Sequence, residues 1–312
     1  MLKRVVVLAG GTGGAKFARG MLDVAGDGLT VIANTADDIE IYGAYVSPDP
    51  DLVSFWLADR IDERGWGLRD DTFAVMDGLR ELGVDVWFSL GDRDLAIGIE
   101  RARRLAAGES LTDTLAALGT ALGLTARVLP MSDEPVRTWV HSDDQWLPFQ
   151  EFMIRAKAEG PVRDTELRGV DRALPTAEAL EAIAAAHAII IGPSNPVISI
   201  GPILTVPEMR QALIDSPAPI VAVSPIVGGA VLKGPTEAFM RWAGHDASTE
   251  AIAATYAGLI DGLVADEAVD GLPVLQTDTL MSDAPSRRRV ASETLAFAEG
   301  LRVTSSEGQS LR

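Results

Sequence analysis

Residues 5–20, VVVLAGGTGGAKFARG, decide the fold. Val5, Val6, Val7 and Leu8 form a short continuous apolar run, the pattern of a central strand buried on both faces. Gly10, Gly11, Gly13 and Gly14 then permit positive φ and remove the Cβ atoms that would keep a ligand oxygen away from backbone N–H groups. From Gly14 the spacing predicts a helix, whose N-terminal amides and macrodipole favour an anion, and Lys16 adds a mobile cation there. The loop is not a Walker A motif, because Ala15 and Phe17 flank the lysine. Nor is it the dinucleotide fingerprint, because Lys16 stands in place of the third glycine. A tight strand-to-helix turn that binds nothing is the plainer reading. The run of small residues around Thr12 exceeds what such a turn requires, so the loop reads as a phosphate cradle.

The composition bounds the rest. A chain of 312 residues with 47% hydrophobic content supplies ample core. The absence of cysteine excludes thiolate chemistry and disulfides and agrees with a reducing compartment. No secretory leader is legible, and no apolar stretch reaches the roughly 20 residues of a membrane span, so a cytoplasmic location is expected. A net charge of -18 argues against nucleic acid and acidic membranes as partners. A phosphorylated ligand would be held locally, by amides, a few cations and a divalent metal on carboxylates.

A second strand, Leu29 to Ala33, completes a βαβ unit and ends in Asn34-Thr35-Ala36-Asp37-Asp38, where α/β proteins place their ligands. An ordinary loop of turn formers is the competing reading. Next, Ser47-Pro48-Asp49-Pro50-Asp51 opens a helix. Ser47 or Asp49 could cap it, yet Asp37, Asp38, Asp49 and Asp51 would also place four carboxylates in one loop region, suited to Mg2+ or a substrate hydroxyl. Gly65-Trp66-Gly67 and a helix from Asp71 to Leu82 lead to an expected strand, Val84 to Ser89, closed by Leu90-Gly91-Asp92-Arg93-Asp94. There Asp92 or Asp94 could cap the following helix, and Arg93 could clamp a phosphate or stack on a planar ring.

Residues 125–175 read as an insertion. Alternation at Val136, Thr138 and Val140, a polar turn at Ser142 to Gln145, and Trp146 to Ile154 predict a β-hairpin. The parallel pattern then resumes with strands His187 to Ile191 and Ile220 to Val223, ending in the Gly192-Pro193-Ser194-Asn195-Pro196 loop and in Ser224 to Gly229, with Lys233 just before a helix. The expectation is a single α/β domain over residues 1–312, a Rossmann-like three-layer sandwich with a mostly parallel sheet and the hairpin insertion. The three histidines are widely separated and read as structural. Trp66, between glycines, is the tryptophan whose role stays open.

In order along residues 5–235, the blocks GGTGGAK, NTADD, SPDPD, GWG, LGDRD, MSD, GPSNPVISIGPIL and SPIVGGAVLKGP make the chain resemble the 2-phospho-L-lactate transferase family of coenzyme F-420 biosynthesis, including its phosphoenolpyruvyl transferases. The resemblance implies a guanosine-diphosphate-linked lactate or enolpyruvate donor, the deazaflavin alcohol Fo as acceptor, release of GMP, and Mg2+ as the metal. It implies donor phosphates on Gly11, Thr12, Gly13 and Lys16, with Ser194, Asn195 and Lys233 nearby. Asp49 and Asp51 become the catalytic pair, Asp51 and Arg93 the contacts to Fo, and Asp37, Asp38 and Asp49 the metal group. One departure stands out: the family usually continues the GDRD block with Thr-His, where this chain has Ile97-Gly98. A non-catalytic nucleotide-binding regulator and a dinucleotide oxidoreductase are the alternatives. A homodimer is expected, since an open sheet edge or apolar helix face usually finds a partner.

Overall fold

A computed structural model describes residues 3–231 and 235–309. Its centre is a parallel sheet of seven strands: β1 Val5–Ala9, β2 Leu29–Ala33, β3 Arg127–Pro130, β4 Ala188–Ile191, β5 Ile220–Val223, β6 Gly262–Ala265 and β7 Val274–Gln276. They lie in the order β7-β6-β5-β4-β1-β2-β3, and every neighbouring pair is parallel. Strands β1, β2, β4, β5 and β6 are buried along their whole length, which is why their sequences are apolar apart from Thr30 of β2.

Alternate residues of these strands feed opposite layers. Val5, Val7 and Ala9 pack with Phe17 and Met21 of helix α1 (Gly11–Ala25), Val53 and Leu57 of helix α2 (Pro48–Leu57), and Val290 and Leu295 of the C-terminal helix Ala284–Gln309. Val6 and Leu8 pack with Ile183, Ile203, Met209, Ile252 and Tyr256 on the other face. The three-layer Rossmann-like sandwich is therefore present. Among the described residues no helix is long and apolar enough to cross a membrane.

The chain leaves this frame twice. The hairpin Ile39–Ile41/Ala44–Val46, helix α3 (Ala74–Glu81) and helix α4 (Asp92–Ala106) share a small core of Ala44, Val46, Met76, Leu90 and Leu95. The second excursion is an antiparallel sheet in which Arg137–Ser142 pairs with Gln145–Pro148 and with Asp164–Arg168. The predicted hairpin is thus present, whereas residues 127–130, counted within the insertion, form the edge strand β3 of the main sheet. Helix α5 (Leu111–Leu122) lies beside that edge.

One expected strand is absent: residues 84–89 are irregular. Val86 and Phe88 only lean on the small core, and Val84 is exposed, so the apolar run covers a lobe and does not enter the sheet. LGDRD accordingly opens α4 in that lobe and does not follow a sheet strand. Its Asp92 does not cap its own helix. It accepts from the Ala74 and Val75 amides at the start of α3, at 3.1 and 2.9 Å, while Asp71 accepts from Arg93 and Asp94 at the start of α4.

Register brings the strand ends level. Ala9 pairs with Ala33, and Ala33 with Pro130, while Leu8 pairs with Ile191. Asn34 N–H continues the ladder to the Ala9 carbonyl (3.1 Å), and Gly192 N–H to the Leu8 carbonyl (2.9 Å). The loops after β1, β2 and β4 therefore emerge on one rim, at the point between β1 and β4 where the strand order reverses.

Behind the rim, α1 crosses the C-terminal helix at Gly20, where an added Cβ would collide with the Arg287 carbonyl. Gly20→Ala should lower stability by about 1–3 kcal/mol, although helix propensity alone favours alanine by about 1 kcal/mol. Equilibrium urea unfolding measures the sign, and an unchanged or raised midpoint would contradict the close crossing.

Candidate active site

The glycine loop is the floor of the rim. Helix α1 begins at Gly11, earlier than the spacing predicts, so Gly11 to Gly14 are its first turn, whose amides have no carbonyl partner within the helix. Most of the glycines answer to protein neighbours. A Cβ on Gly10 would lie 2.7 Å from Asp49 Oδ2 and 2.7 Å from Ser199 Cβ. One on Gly13 would strike the Pro193 carbonyl, and one on Gly14 the Ser194 hydroxyl. Gly11 instead serves its backbone, at φ +63°. The absent side chains of Gly13 and Gly14 let the loops after β1 and β4 touch.

Asp49 closes the floor from α2. Its carboxylate accepts the Gly11 N–H at 2.6 Å and the Asn34 side-chain amide at 2.9 Å. Asn34 fixes itself by accepting from the Ala36 amide at 2.9 Å. Neither Ser47 nor Asp49 caps α2, as the capping reading would have it. Ser47 donates its hydroxyl to Asp38 at 2.7 Å, and Asp49 turns to α1. The Thr138 hydroxyl donates to Asp37 at 3.3 Å, and Asp38 Oδ2 is buried with no hydrogen-bond partner among the described residues.

Burial dominates the charges here. It pushes Asp49 up to about 6, against the Gly11 and Asn34 hydrogen bonds. It pushes Asp38 up to about 7, opposed by Arg137, the Ser47 hydroxyl and Arg101. Asp37 is driven well above the carboxylate range by burial and then by the charges of Asp49 and Asp38. Such a group, with one orphaned carboxylate oxygen, suits a divalent cation. Among the described residues no three acidic or histidine side chains converge as a metal cage, so a cation held here would draw other ligands from substrate phosphate and water.

Asp51, two residues further along the same first turn of α2, faces the outlying lobe. Both its oxygens are held by Arg101 of α4, Oδ2 by Nη1 at 3.1 Å and Oδ1 by Nη2. Arg101 is fully buried, and Nη1 also reaches the Tyr45 carbonyl at 2.8 Å. Asp94 stands in the same field, pushed up to about 7 by burial and then by the charge of Asp51.

The other expected residues divide. Buried Ser194 accepts from the Gly10 N–H at 3.3 Å, placing it on the floor. Asn195 accepts from the Val197 and Ile198 amides and donates to Thr236, so it shapes the neighbouring loop. Thr12 and Gly13 are partly exposed on the first turn. Lys16 is directed elsewhere, with Nζ 3.5 Å from the Met281 carbonyl and 5.8 Å from the Trp56 ring centroid. Arg93 is exposed on the lobe. Lys233 lies outside the described residues. Ile97 packs beside Phe55, Ile61 and Leu68, and Gly98 lets α4 approach the Ala44–Tyr45 backbone, so the Ile-Gly departure is a packing feature in this chain.

Sequence reasoning missed Asn34 as a floor residue and missed Arg101, Tyr45 and Arg137 altogether. A signal existed for Arg101, because it shares the spacing i, i+3, i+6 with Leu95 and Gly98, the other buried residues of α4. A charge on a buried helical stripe requires a partner.

Fold and rim define an α/β protein whose glycine loop and carboxylate group meet at a switch point. Residues 5–293 match the 2-phospho-L-lactate transferase CofD family. A phosphoenolpyruvate transferase of Kitasatospora aureofaciens is 41% identical over 96% of this chain and 99% of its own. A 2-phospho-L-lactate transferase of Methanosarcina mazei is 37% identical over 92% of this chain and 98% of its own. In fold alone, a UPF0052 family protein of Bacillus halodurans is similar, with TM-score 0.63 at 18% identity over 95% of this chain and 99% of its own. The chain belongs to the 2-phospho-L-lactate transferase CofD family, and its class is that of a transferase.

The raised carboxylates fix a pH dependence. Between about pH 4 and 7 the native state holds protons on Asp38, Asp49 and Asp94 that the unfolded chain releases, so their contribution to stability falls as pH rises through that window. In metal-free buffer the melting temperature should fall from about pH 5 to about pH 8, and Asp38→Asn should flatten that slope. A melting temperature that rises over this range in both proteins would contradict the assignment.

Proposed function

We propose that this chain transfers a phospholactyl or phosphoenolpyruvyl group from a guanosine-diphosphate-linked donor to the ribityl hydroxyl of Fo, giving coenzyme F-420-0 or its dehydro form. The observation that carries this reading is the meeting of the α1 first turn with the Asp49 and Asp37/Asp38 carboxylates on one rim. Family membership supplies the reaction class.

In this reading the amides of Thr12 and Gly13 receive the donor diphosphate, with Gly11 and Ser194 setting the shape of the floor. Asn195 holds the neighbouring loop in shape through the Val197 and Ile198 amides. Arg93, exposed on the lobe, meets the deazaflavin. The hydroxyl oxygen of Fo attacks the phosphorus that bears the acyl unit. The bond from that phosphorus to the bridging oxygen breaks, and its electron pair leaves with GMP. Asp51 accepts the hydroxyl proton, while carboxylates of the Asp37, Asp38 and Asp49 group would hold Mg2+ together with substrate phosphate and water. The metal, when bound, neutralises charge on the phosphoryl oxygens. Such transfers rest on positioning and charge neutralisation, which a rigid rim of backbone and buried side chains provides.

A non-catalytic regulator was suggested by Ile97-Gly98 alone, and both residues have packing partners here. Relatives of both donor types are similar to the chain, so the three-carbon acid is decided by experiment.

Mass spectrometry of the purified protein with Fo, Mg2+ and the guanylylated phospholactate or phosphoenolpyruvate donor should show a deazaflavin phosphodiester with one of them. Asp51→Asn should lower turnover by about 10²–10⁴-fold, the usual contribution of a general base. Bound nucleotide without product from either donor would overturn the reading, and normal turnover by Asp51→Asn would remove its base.

A further inference from the structure

Asp49 and Asp51 share the first turn of α2 yet are tied to different bodies. Asp49 is bound to α1 and the main sheet through Gly11 and Asn34. Asp51 is bound to the outlying lobe through Arg101. The tie on the lobe side is bidentate. Arg101 is wholly buried, engages both Asp51 oxygens, and reaches the Tyr45 carbonyl, which α4 can approach because Gly98 has no side chain. Tyr45 in turn accepts at its hydroxyl from Arg137 of the inserted sheet at 2.9 Å. One guanidinium thus connects α2, the hairpin and α4, and through Tyr45 the second insertion.

A planar fork that fills two carboxylate oxygens leaves that carboxylate little rotational freedom, which a lysine cannot reproduce. We propose that Arg101 is the positioning residue of this site: it fixes the Asp51 carboxylate and, through the shared turn of α2, holds Asp49 on the Gly11 amide. Arg101 lies beneath the surface and touches no substrate. Its effect passes through the two aspartates. The inference rests on the transferase reading for its kinetic consequence, but the placement of Asp49 is observable without turnover.

The test compares the unaltered protein with Arg101→Lys, which keeps the charge and loses the fork, and with Arg101→Met, whose folding is checked by thermal melting. With Fo and the accepted donor, kcat should fall about 10- to 100-fold in Arg101→Lys, the scale of a misplacement of about 1 Å. The donor KM should stay within about threefold, because Asp49 is bonded to the Gly11 amide and not to the Thr12 and Gly13 amides assigned to the diphosphate. In 15N-resolved NMR without substrates, the Gly11 amide proton should move upfield as its short bond to Asp49 loosens. Normal kcat in Arg101→Lys, or a Gly11 resonance that does not move, overturns the proposal. If the unaltered protein transfers nothing, the transferase reading fails, and the Gly11 resonance alone decides the role of Arg101.

Discussion

The structure depends on one short contact, the Gly11 N–H donated to the Asp49 carboxylate at 2.6 Å. A carboxylate at the first turn of α1 is favoured by the helix dipole and by a charge-assisted hydrogen bond, together about 2–3 kcal/mol. Burial opposes it and raises the proton affinity of Asp49, so the contact survives only with further partners. Asn34 supplies one, and the absent side chain of Gly10 leaves the room. The contact also joins elements distant in sequence. Asp49 belongs to α2, Gly11 follows β1, Asn34 follows β2, and the Gly10 amide rests on Ser194 after β4. The parallel register makes this possible by ending those strands level.

On the lobe side the same logic repeats in reverse. The fold buries a cation, Arg101, and pairs it with Asp51. Breaking such a pair by removing one partner costs about 3–5 kcal/mol, because the other charge is left buried. The pair therefore fixes where the lobe meets α2, beside its small core of Ala44, Val46, Met76, Leu90 and Leu95. Around Asp37, Asp38 and Asp49 burial instead raises the proton affinity of the carboxylates.

The central βαβ unit was legible because its signals are local: the apolar run Val5–Leu8, the glycines, and Leu29–Ala33 coincide with β1, α1 and β2. The gathering of NTADD and SPDPD was legible too, since strand ends predict where loops meet. What was not legible is long-range. Val84 to Ser89 reads as a strand by composition, but tertiary context gives those residues a small core to cover. Asp92 and Asp71 exchange helix caps across the lobe, a pairing that spacing cannot reveal. Asp133 of the MSD block likewise accepts from Thr112 at the start of α5. Lys16 looks like a phosphate ligand in the sequence, yet the turn of α1 carries it toward Trp56 and Met281.

In the proposed reading the α1 first turn and the Asp37/Asp38/Asp49 carboxylates form one site for a metal-bound diphosphate. Crystals of the protein soaked with GDP and Mn2+, measured at the manganese absorption edge, test this placement. An anomalous peak is expected against these carboxylates, with the diphosphate on the Thr12 and Gly13 amides. A nucleotide bound away from the rim, or a manganese peak without contact to any of the three aspartates, would contradict it.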